Sequence, residues 1–295
     1  MKQLCARIVT NKEVTPLHYR MALSAPPIAR AIRPGQFVMV KCADARVPLL
    51  RRPFSLHRVR GDTIEILYKV IGQGTEALSR RSAGESLDII GPLGNGFTLN
   101  RPTGQPENRQ TLLIAGGMGV APLVALAERI RHQVTRSPGH QLKLLVLIGA
   151  KTKNALLCGH DFRKLGVAVH IATEDGSLGQ KGLVTFLLED ILRTTNDERR
   201  TTIYACGPNA MLKEVSRLAG RQGIPCQVSL EEKMACGVGV CLGCPVKVKK
   251  SCVRRSSLGD RRSLTNDERR TTNDEYRMVC KDGPVFDADS IVWDS

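Results

Sequence analysis

Residues 111–122 read Thr-Leu-Leu-Ile-Ala-Gly-Gly-Met-Gly-Val-Ala-Pro. Residues 111–115 have the character of a buried strand. They run into a glycine turn, and the apolar residues beyond it, Leu123, Leu126, Ala127 and Ile130, recur at helical spacing. A strand, a turn and a helix in that order open a parallel α/β unit. The pattern repeats downstream, with apolar strands expected at 141–149, 167–172 and 202–205. The last of these ends in Cys206-Gly207-Pro208, ahead of a helix from Asn209 to about Gln222. Open α/β sheets bind ligands at the carboxyl ends of their strands. Gly116, Gly117 and Gly119 are therefore expected to let a dinucleotide diphosphate approach the backbone, with Cys206, Gly207 and Pro208 at a second strand end. The run is not G-x-G-x-x-G and is no dinucleotide fingerprint by itself. Cys206 taken alone is a small buried hydrophobe.

Upstream, residues 1–100 follow another pattern. Short apolar runs at 36–41, 63–70 and 86–90 are separated by glycine and proline turns at 33–35, 60–62 and 91–92. Several short strands in so small a space suggest an antiparallel barrel. Arg52-Pro53-Phe54-Ser55 closes one strand, and an arginine beside a serine hydroxyl can hold a phosphate by charge and by hydrogen bond. Gly72-Gln73-Gly74-Thr75 makes a glycine-rich turn before a helical run at 76–81, whose free amides suit a diphosphate. Either feature alone is common on surfaces. Residues 52–55, 74–75 and 91–96 within one barrel are informative together.

Downstream, Cys236, Cys241 and Cys244 show the C-x4-C-x2-C spacing of plant-type [2Fe–2S] sites, which take a distant fourth cysteine. Two sulfide-bridged irons need four thiolates, and Gly237, Gly239 and Gly243 let the loop wrap closely and aim amides at sulfur. Cys280 and Cys252 compete for the fourth position. Cys280 is preferred because residues 276–280 resume an ordered pattern, whereas Cys252 begins a polar, arginine-rich stretch. A structural zinc site is the alternative, although zinc knuckles usually show two short C-x2-C pairs and only one is present.

Of the whole chain, 295 residues allow two or three compact domains. No apolar run approaches the roughly 18–20 residues needed to cross a bilayer. Residues 1–10 carry charges and no long apolar stretch, unlike a secretory signal. A cytoplasmic enzyme with reduced thiols among its ten cysteines is expected, without a membrane partner. The net charge of +16 sits largely in arginine pairs such as Arg80-Arg81, Arg254-Arg255, Arg261-Arg262 and Arg269-Arg270. With 4% aromatic residues and none between these pairs, no stacking platform for nucleic acid is visible, and nucleic acid is not expected as a partner. The octamer Thr-Asn-Asp-Glu-Arg-Arg-Thr-Thr occurs twice, at 195–202 and 265–272. Both copies lack an apolar face and read as solvated insertions outside the core.

In this order the motifs RPFS, GT, GPLGNGF, GGMGVAP and CGP with a C-terminal cysteine cluster resemble the ferredoxin–NADP⁺ reductase superfamily. MACGVGVCLGC followed by VCKDGPVF resembles, more closely, the electron-transfer subunits of B-type dihydroorotate dehydrogenases. The resemblance spans nearly the whole chain. It implies an α+β multidomain fold: a FAD-binding antiparallel β-barrel (1–102), a parallel-sheet NAD-binding domain (103–224) and a small [2Fe–2S] domain (225–295). It implies FAD contacts at Arg52, Pro53, Phe54 and Ser55, at Leu67, Tyr68 and Lys69, and at Gly74 and Thr75, with cluster ligands Cys236, Cys241, Cys244 and Cys280. It further implies that dihydroorotate is oxidised on a partner subunit carrying FMN, in a heterotetramer of two chains of each kind within pyrimidine biosynthesis. Electrons then pass through the cluster and FAD to NAD⁺, and this chain carries no catalytic residue for dihydroorotate. The stretch between Cys244 and Cys280 is longer than the short loop usual in that family. Where NADP-selective relatives place a Ser-Arg pair, this chain reads Thr173-Glu174-Asp175, two carboxylates that favour NAD. A reductase subunit of another iron–sulfur flavoprotein complex is the second enzyme reading. A basic zinc-binding module is the non-enzyme one.

Overall fold

The computed structural model describes residues 1–43, 48–99, 109–135, 142–194, 201–249 and 274–293. Strands β1 (Lys2–Thr15), β2 (His18–Ser24), β3 (Phe37–Val40), β4 (Arg52–Arg60), β5 (Thr63–Lys69) and β6 (Ser86–Leu93) close into a barrel in the order β1-β2-β5-β4-β3-β6. Helix α1 (Pro26–Ala29) lies between β2 and β3, and α2 (Gln73–Ser79) between β5 and β6. Closure leaves no unpaired edge, and strand alternation sends Ile8, Leu23, Leu56, Ile64, Ile66 and Ile89 inward. All four residues of β3 are buried because both faces of that strand are covered. Val38 and Val40 fill the barrel, while Phe37 and Met39 face out into a core shared with the rest of the chain.

The second body is a seven-stranded sheet. Strands β7 (Arg109–Gly116), β8 (Leu142–Ala150), β9 (Ala168–Thr173), β10 (Gln180–Lys181), β11 (Thr201–Cys206) and β12 (Cys226–Ser229) run parallel in the order β10-β9-β8-β7-β11-β12. Helices α3 (Val120–Thr135) and α4 (Gly159–Lys164) cover one face, and α5 (Val184–Thr194) and α6 (Asn209–Arg221) the other. The central strands are buried on both sides, which explains why 112–115 and 144–148 are continuous apolar runs. A ribbon of β13 (Pro245–Lys249) and β14 (Asp274–Met278) follows. Helix α7 (Val279–Asp282) then leads into β15 (Val285–Asp287), which pairs antiparallel with β12 at the sheet edge.

Three expectations change. The sheet does not stop at residue 224, because β12 and β15 come from the segment expected to form the cluster unit. The other expected boundary, at 102–103, lies outside the described residues. The helix expected at 76–81 begins at Gln73, so Gly74 and Thr75 form its first turn. The first octamer copy is not wholly outside the core. Thr201 and Thr202 start β11 opposite Gln110 and Thr111, and Thr201 is 1% exposed. Ladder pairing satisfies their backbone, so a polar end to a buried strand is tolerated. Residues 195–200 and 265–272, and Cys252, lie outside the described residues. Among those described, no helix is long and apolar enough to cross a membrane.

Barrel and sheet are fastened where β4 meets α3. The His57 Nδ1 lies 3.0 Å from the Ala121 carbonyl oxygen. Burial pulls the His57 pKa down to about 4, so the ring is neutral near pH 7, with its proton on Nδ1 for that contact. The Arg58 guanidinium, with 5% of its side chain exposed, pairs with Glu128 of α3 at 2.6 Å and Asp161 of α4 at 3.1 Å. Arg58→Ala would remove the buried cation shared by two partly buried carboxylates, leaving Asp161 only the more distant Arg20 at 3.8 Å. Urea unfolding of this variant should show a loss of about 3 kcal/mol.

Candidate functional site

The four expected cluster cysteines are brought together by β13, α7 and the loop ahead of β13. Cys236 and Cys241 lie in the loop, Cys244 immediately precedes β13, and Cys280 sits in the first turn of α7. Their sulfurs fall into two pairs, Cys236 with Cys241 and Cys244 with Cys280. Among the described residues no three His, Cys, Asp or Glu side chains converge on one metal position. In a [2Fe–2S] cluster each iron takes two protein thiolates, and four cysteine sulfurs in two neighbouring pairs meet that requirement. The donor set therefore fits the cluster. Cys244 and Cys280 are buried, Cys236 is half-buried and Cys241 is exposed, so one pair faces the protein and the other approaches solvent.

Backbone amides are aimed at these sulfurs. Gly239 N–H donates to Cys280 Sγ at 3.1 Å, Val238 and Cys241 N–H to Cys236 Sγ at 3.4 and 3.5 Å, and Cys280 N–H to Cys244 Sγ at 3.4 Å. Gly237 and Gly239 hold positive φ angles of 74° and 82°, which turn successive amides inward. Against the rise that burial causes, the amides of Cys241 and Val238 bring the Cys236 thiol down to about 6. Cys280 is pushed up to about 12 by burial and by its hydrogen bond with Cys244. Two adjacent buried sulfurs share a proton by themselves, and bound metal cations would let both ionise.

Of the apolar residues in this loop, Met234 and Val238 pack against the core, whereas Val240 is 79% and Leu242 65% exposed. Leu242 also adopts φ +57°, a left-handed conformation costly for a leucine. An exposed leucine held there is unexpected for a loop whose only task is wrapping a cluster.

Of the expected flavin-site side chains on β4, those of Pro53 and Ser55 lie on the outer face of the barrel. Pro53 and Ser55 pair with Met39 and Phe37 across β3 and β4, and directly opposed residues share a face. Alternation along β5 divides the expected trio there. Tyr68 points into the barrel, 2% exposed, stacked on Tyr19 at 5.6 Å and edge-on to Phe54 at 5.7 Å, with its hydroxyl donating to Asn11 Oδ1 at 2.9 Å. Leu67 points outward into the core shared with the sheet, and Lys69 is exposed. Tyr68 and Phe54 thus serve the barrel interior, with Phe54 8% exposed. Pro53, Ser55 and Lys69 present outward side chains, and Arg52, opposite Val40 at the start of β4, is half-exposed at the strand end.

Local packing also distinguishes the two adjacent arginines. Arg51 is bound to Asp88 through its Nη2 at 2.5 Å and to the Asp88 carbonyl through Nη1 at 2.8 Å. Arg52 donates to the Leu50 carbonyl at 2.8 Å and lies along Gly74, where a Cβ would stand 3.2 Å from Arg52 Nε. A glycine at 74 thus admits the guanidinium against the first turn of α2. The Thr75 hydroxyl turns back on its own turn, accepting from Ile71 N–H at 2.9 Å and donating to the Gly72 carbonyl at 3.0 Å. The donor chemistry of this cradle fits a flavin dinucleotide, for which Arg52 would be the cation to meet a phosphate while Thr75 shapes the turn.

Two of the glycines after β7 are required by packing within the protein. A Cβ on Gly119 would fall 2.1 Å from the Cys206 carbonyl oxygen, and one on Gly116 2.7 Å from Met211 Sδ and 2.8 Å from Pro208 Cδ. Both are glycines because the Cys206-Gly207-Pro208 turn at the end of β11 packs onto them. Gly117 alone faces open space, at φ +53°. The two motifs therefore form one floor at neighbouring strand ends. Cys206 is 2% exposed, with its thiol pKa raised by burial. At the end of β9, Thr173 is fully buried and donates to the Leu178 carbonyl at 2.8 Å, which shapes a turn that leaves Glu174 and Asp175 exposed.

Residues not singled out from sequence join these parts. A Cβ on Gly237 would lie 2.5 Å from Met39 Cγ. Asn95, just past β6, donates its side-chain amide to the Asp282 carbonyl at 2.8 Å. Asn11 reaches from β1 to the end of α2, donating to the Leu78 and Arg81 carbonyls at 3.0 and 2.9 Å. Polar residues in β-rich segments carry no sequence signal for such distant partners.

Two family models match the chain: an oxidoreductase NAD-binding domain over residues 113–217, and the iron–sulfur cluster binding domain of dihydroorotate dehydrogenase B over 231–255 and 265–292. The electron-transfer subunit of dihydroorotate dehydrogenase B (NAD(+)) from Desulforamulus reducens is 38% identical over 295 residues, with 98% of each chain covered. That of Enterococcus faecalis is 33% identical, covering 99% of this chain and 98% of its own. Among solved structures, an NADH-dependent reduced ferredoxin-NADP oxidoreductase shares the fold with TM-score 0.75 at 24% identity, over 98% of this chain and 90% of its own. A Neisseria gonorrhoeae ferredoxin NADP+ reductase with bound FAD and NADP aligns at TM-score 0.61 and 20% identity, over 76% of this chain and 92% of its own.

Serine in place of Cys236, Cys241, Cys244 or Cys280 should abolish or strongly alter the electron paramagnetic resonance signal of the reduced protein, while Cys252→Ser should leave it intact. A normal signal in Cys280→Ser with loss in Cys252→Ser would reassign the fourth ligand. Arg52→Ala removes a charge-assisted phosphate contact and should weaken flavin retention by about 1.5–3 kcal/mol, read as flavin content after gel filtration.

Proposed function

This chain belongs to the family of electron-transfer subunits of dihydroorotate dehydrogenase B, and on that premise we propose that it carries electrons from an FMN-bearing subunit that oxidises dihydroorotate to NAD⁺, in pyrimidine biosynthesis. The reading includes resident FAD and [2Fe–2S] groups and a heterotetramer of two chains of each kind. The observation that carries it is the convergence of three surfaces. The paired cysteines, the outer face of β4 and the strand-end floor at Gly117 and Cys206 are joined through one shared core containing Phe37, Met39, Leu93, Ala205, Cys244 and Cys280. Flavin exchanges both single electrons and hydride, and an iron–sulfur cluster exchanges single electrons, which suits a chain set between a nicotinamide and a one-electron relay.

The protein's own part is to bind and orient. Arg52 holds the flavin phosphate, and Pro53 and Ser55 offer a flat, half-buried strand face for the ring. Gly117 gives the dinucleotide open backbone at the mouth of the sheet. Glu174 and Asp175 accept from ribose hydroxyls and oppose a 2′-phosphate, favouring NAD over NADP. Cys236, Cys241, Cys244 and Cys280 ligate the cluster, with units assigned as 1–102 for flavin, 103–224 for NAD and 225–295 for the cluster, the last sharing β12 and β15 with the sheet. The exposed pair Val240 and Leu242 beside the solvent-side cysteines is the docking surface for the FMN-bearing subunit. The reading also assigns the chain to the cytoplasm, supported by cysteines that are unpaired with one another among the described residues.

The purified chain should reduce artificial dyes with NADH but not oxidise dihydroorotate. Adding the FMN-bearing subunit should establish dihydroorotate-to-NAD⁺ turnover. Dihydroorotate oxidation by the single chain would reveal a substrate site in it and refute this assignment.

A further inference from the structure

We infer that Met39 is a positioning residue that fixes the gap between the cluster loop and the flavin face, and so governs electron passage between them. The inference rests on the flavin and cluster assignments above. Met39 is fully buried and belongs to the core shared by barrel, sheet and cluster segment. Its backbone is held on both sides, opposite Pro53 of β4 and opposite Ile90 of β6. Its side chain leaves the barrel on the same face as Pro53. There it meets Gly237, the residue after Cys236. A Cβ at 237 would lie 2.5 Å from Met39 Cγ and 3.1 Å from Sδ, with Leu93 Cδ1 at 3.4 Å on the flank. Gly237 is at φ +74°, so both its conformation and the space taken by Met39 exclude a side chain.

One side chain therefore touches the cluster loop while its own strand neighbour forms the flavin face. Electron transfer between fixed centres falls steeply with separation and with unfilled space between them. Methionine suits such a position, because its unbranched, polarizable side chain fills an irregular gap without displacing either wall. Truncation would leave a cavity directly beneath Gly237 and allow the loop to shift or loosen. The nicotinamide side of the hydride step is assigned to a different surface, the strand-end floor at Gly117.

The test mixes NADH anaerobically with the full-length protein and follows flavin bleaching and cluster bleaching separately in wild type, Met39→Ala and Met39→Leu. Iron and flavin contents, and amide hydrogen exchange across residues 236–241, are measured on the same samples. In Met39→Ala, flavin bleaching should keep its wild-type rate while cluster bleaching slows by about tenfold or more, with faster exchange in the loop. Met39→Leu conserves volume and should restore cluster bleaching to within about twofold of wild type. Should Met39→Ala lose iron, Met39→Val carries the same comparison with a smaller truncation. Wild-type cluster bleaching in the truncated variant, equal slowing of both phases, or Met39→Leu as slow as Met39→Ala would each overturn the inference. Wild-type protein without flavin or cluster absorption would instead refute the underlying assignment.

Discussion

Asn95 and Gly283 meet backbone to backbone, with the Asn95 amide donating to the Gly283 carbonyl at 2.5 Å. Gly94, at φ +69°, has no room for a side chain because its Cβ would lie 2.5 Å from that same carbonyl oxygen. The contact joins three things. Gly94 and Asn95 are the exit of the barrel's last strand, Gly283 follows the short helix that carries Cys280, and Val285 just beyond begins the strand that completes the sheet. Barrel, fourth cysteine and sheet edge are therefore positioned by one clasp. A cluster unit attached only by its chain ends could drift relative to the flavin face. Here the clasp, the packing of Gly237 on Met39 and the pairing of β12 with β15 deny it that freedom.

A second fastening acts through charge. Arg58 reaches from the barrel to both α3 and α4, and the neutral His57 ring lies against the Ala121 carbonyl in the first turn of α3. That turn begins immediately after the glycine floor expected to receive nicotinamide. The first fastening holds the exit of β6, and with it Met39 of β3, against the cluster segment, and the second holds β4 against the helices of the nucleotide sheet. A chain that passes electrons in sequence needs such a common frame, because each transfer depends on distances that a loosely tethered module would not keep.

Much of this was legible in the sequence where the signal is local. The glycine and cysteine spacing of residues 236–244 carries its own geometry, and continuous apolar runs such as 144–148 follow from a sheet covered on both faces. Other features were legible in place but not in cause. Gly116 and Gly119 stand where a dinucleotide motif should, yet a neighbouring turn of protein is what forbids a side chain at them. Leu67 and Tyr68 were grouped as adjacent contacts, and strand alternation sends them to opposite faces. Arg51 and Arg52 look alike until Asp88 engages the first. Met39 and Arg58 left no trace, and Asn95 stood out only within the glycine-rich stretch 91–96, because no local pattern marks a residue whose value lies in a distant contact.

The central claim is that one chain holds flavin, cluster and nicotinamide site in electronic contact. The direct measurement is the visible and electron paramagnetic resonance spectrum of the anaerobically purified chain, before and after NADH, with no other protein present. The account predicts flavin and [2Fe–2S] absorption together, both bleached by NADH, with the paramagnetic signal of a reduced cluster appearing as they bleach. A protein lacking either chromophore, or a cluster that stays oxidised while the flavin is fully reduced, would contradict it.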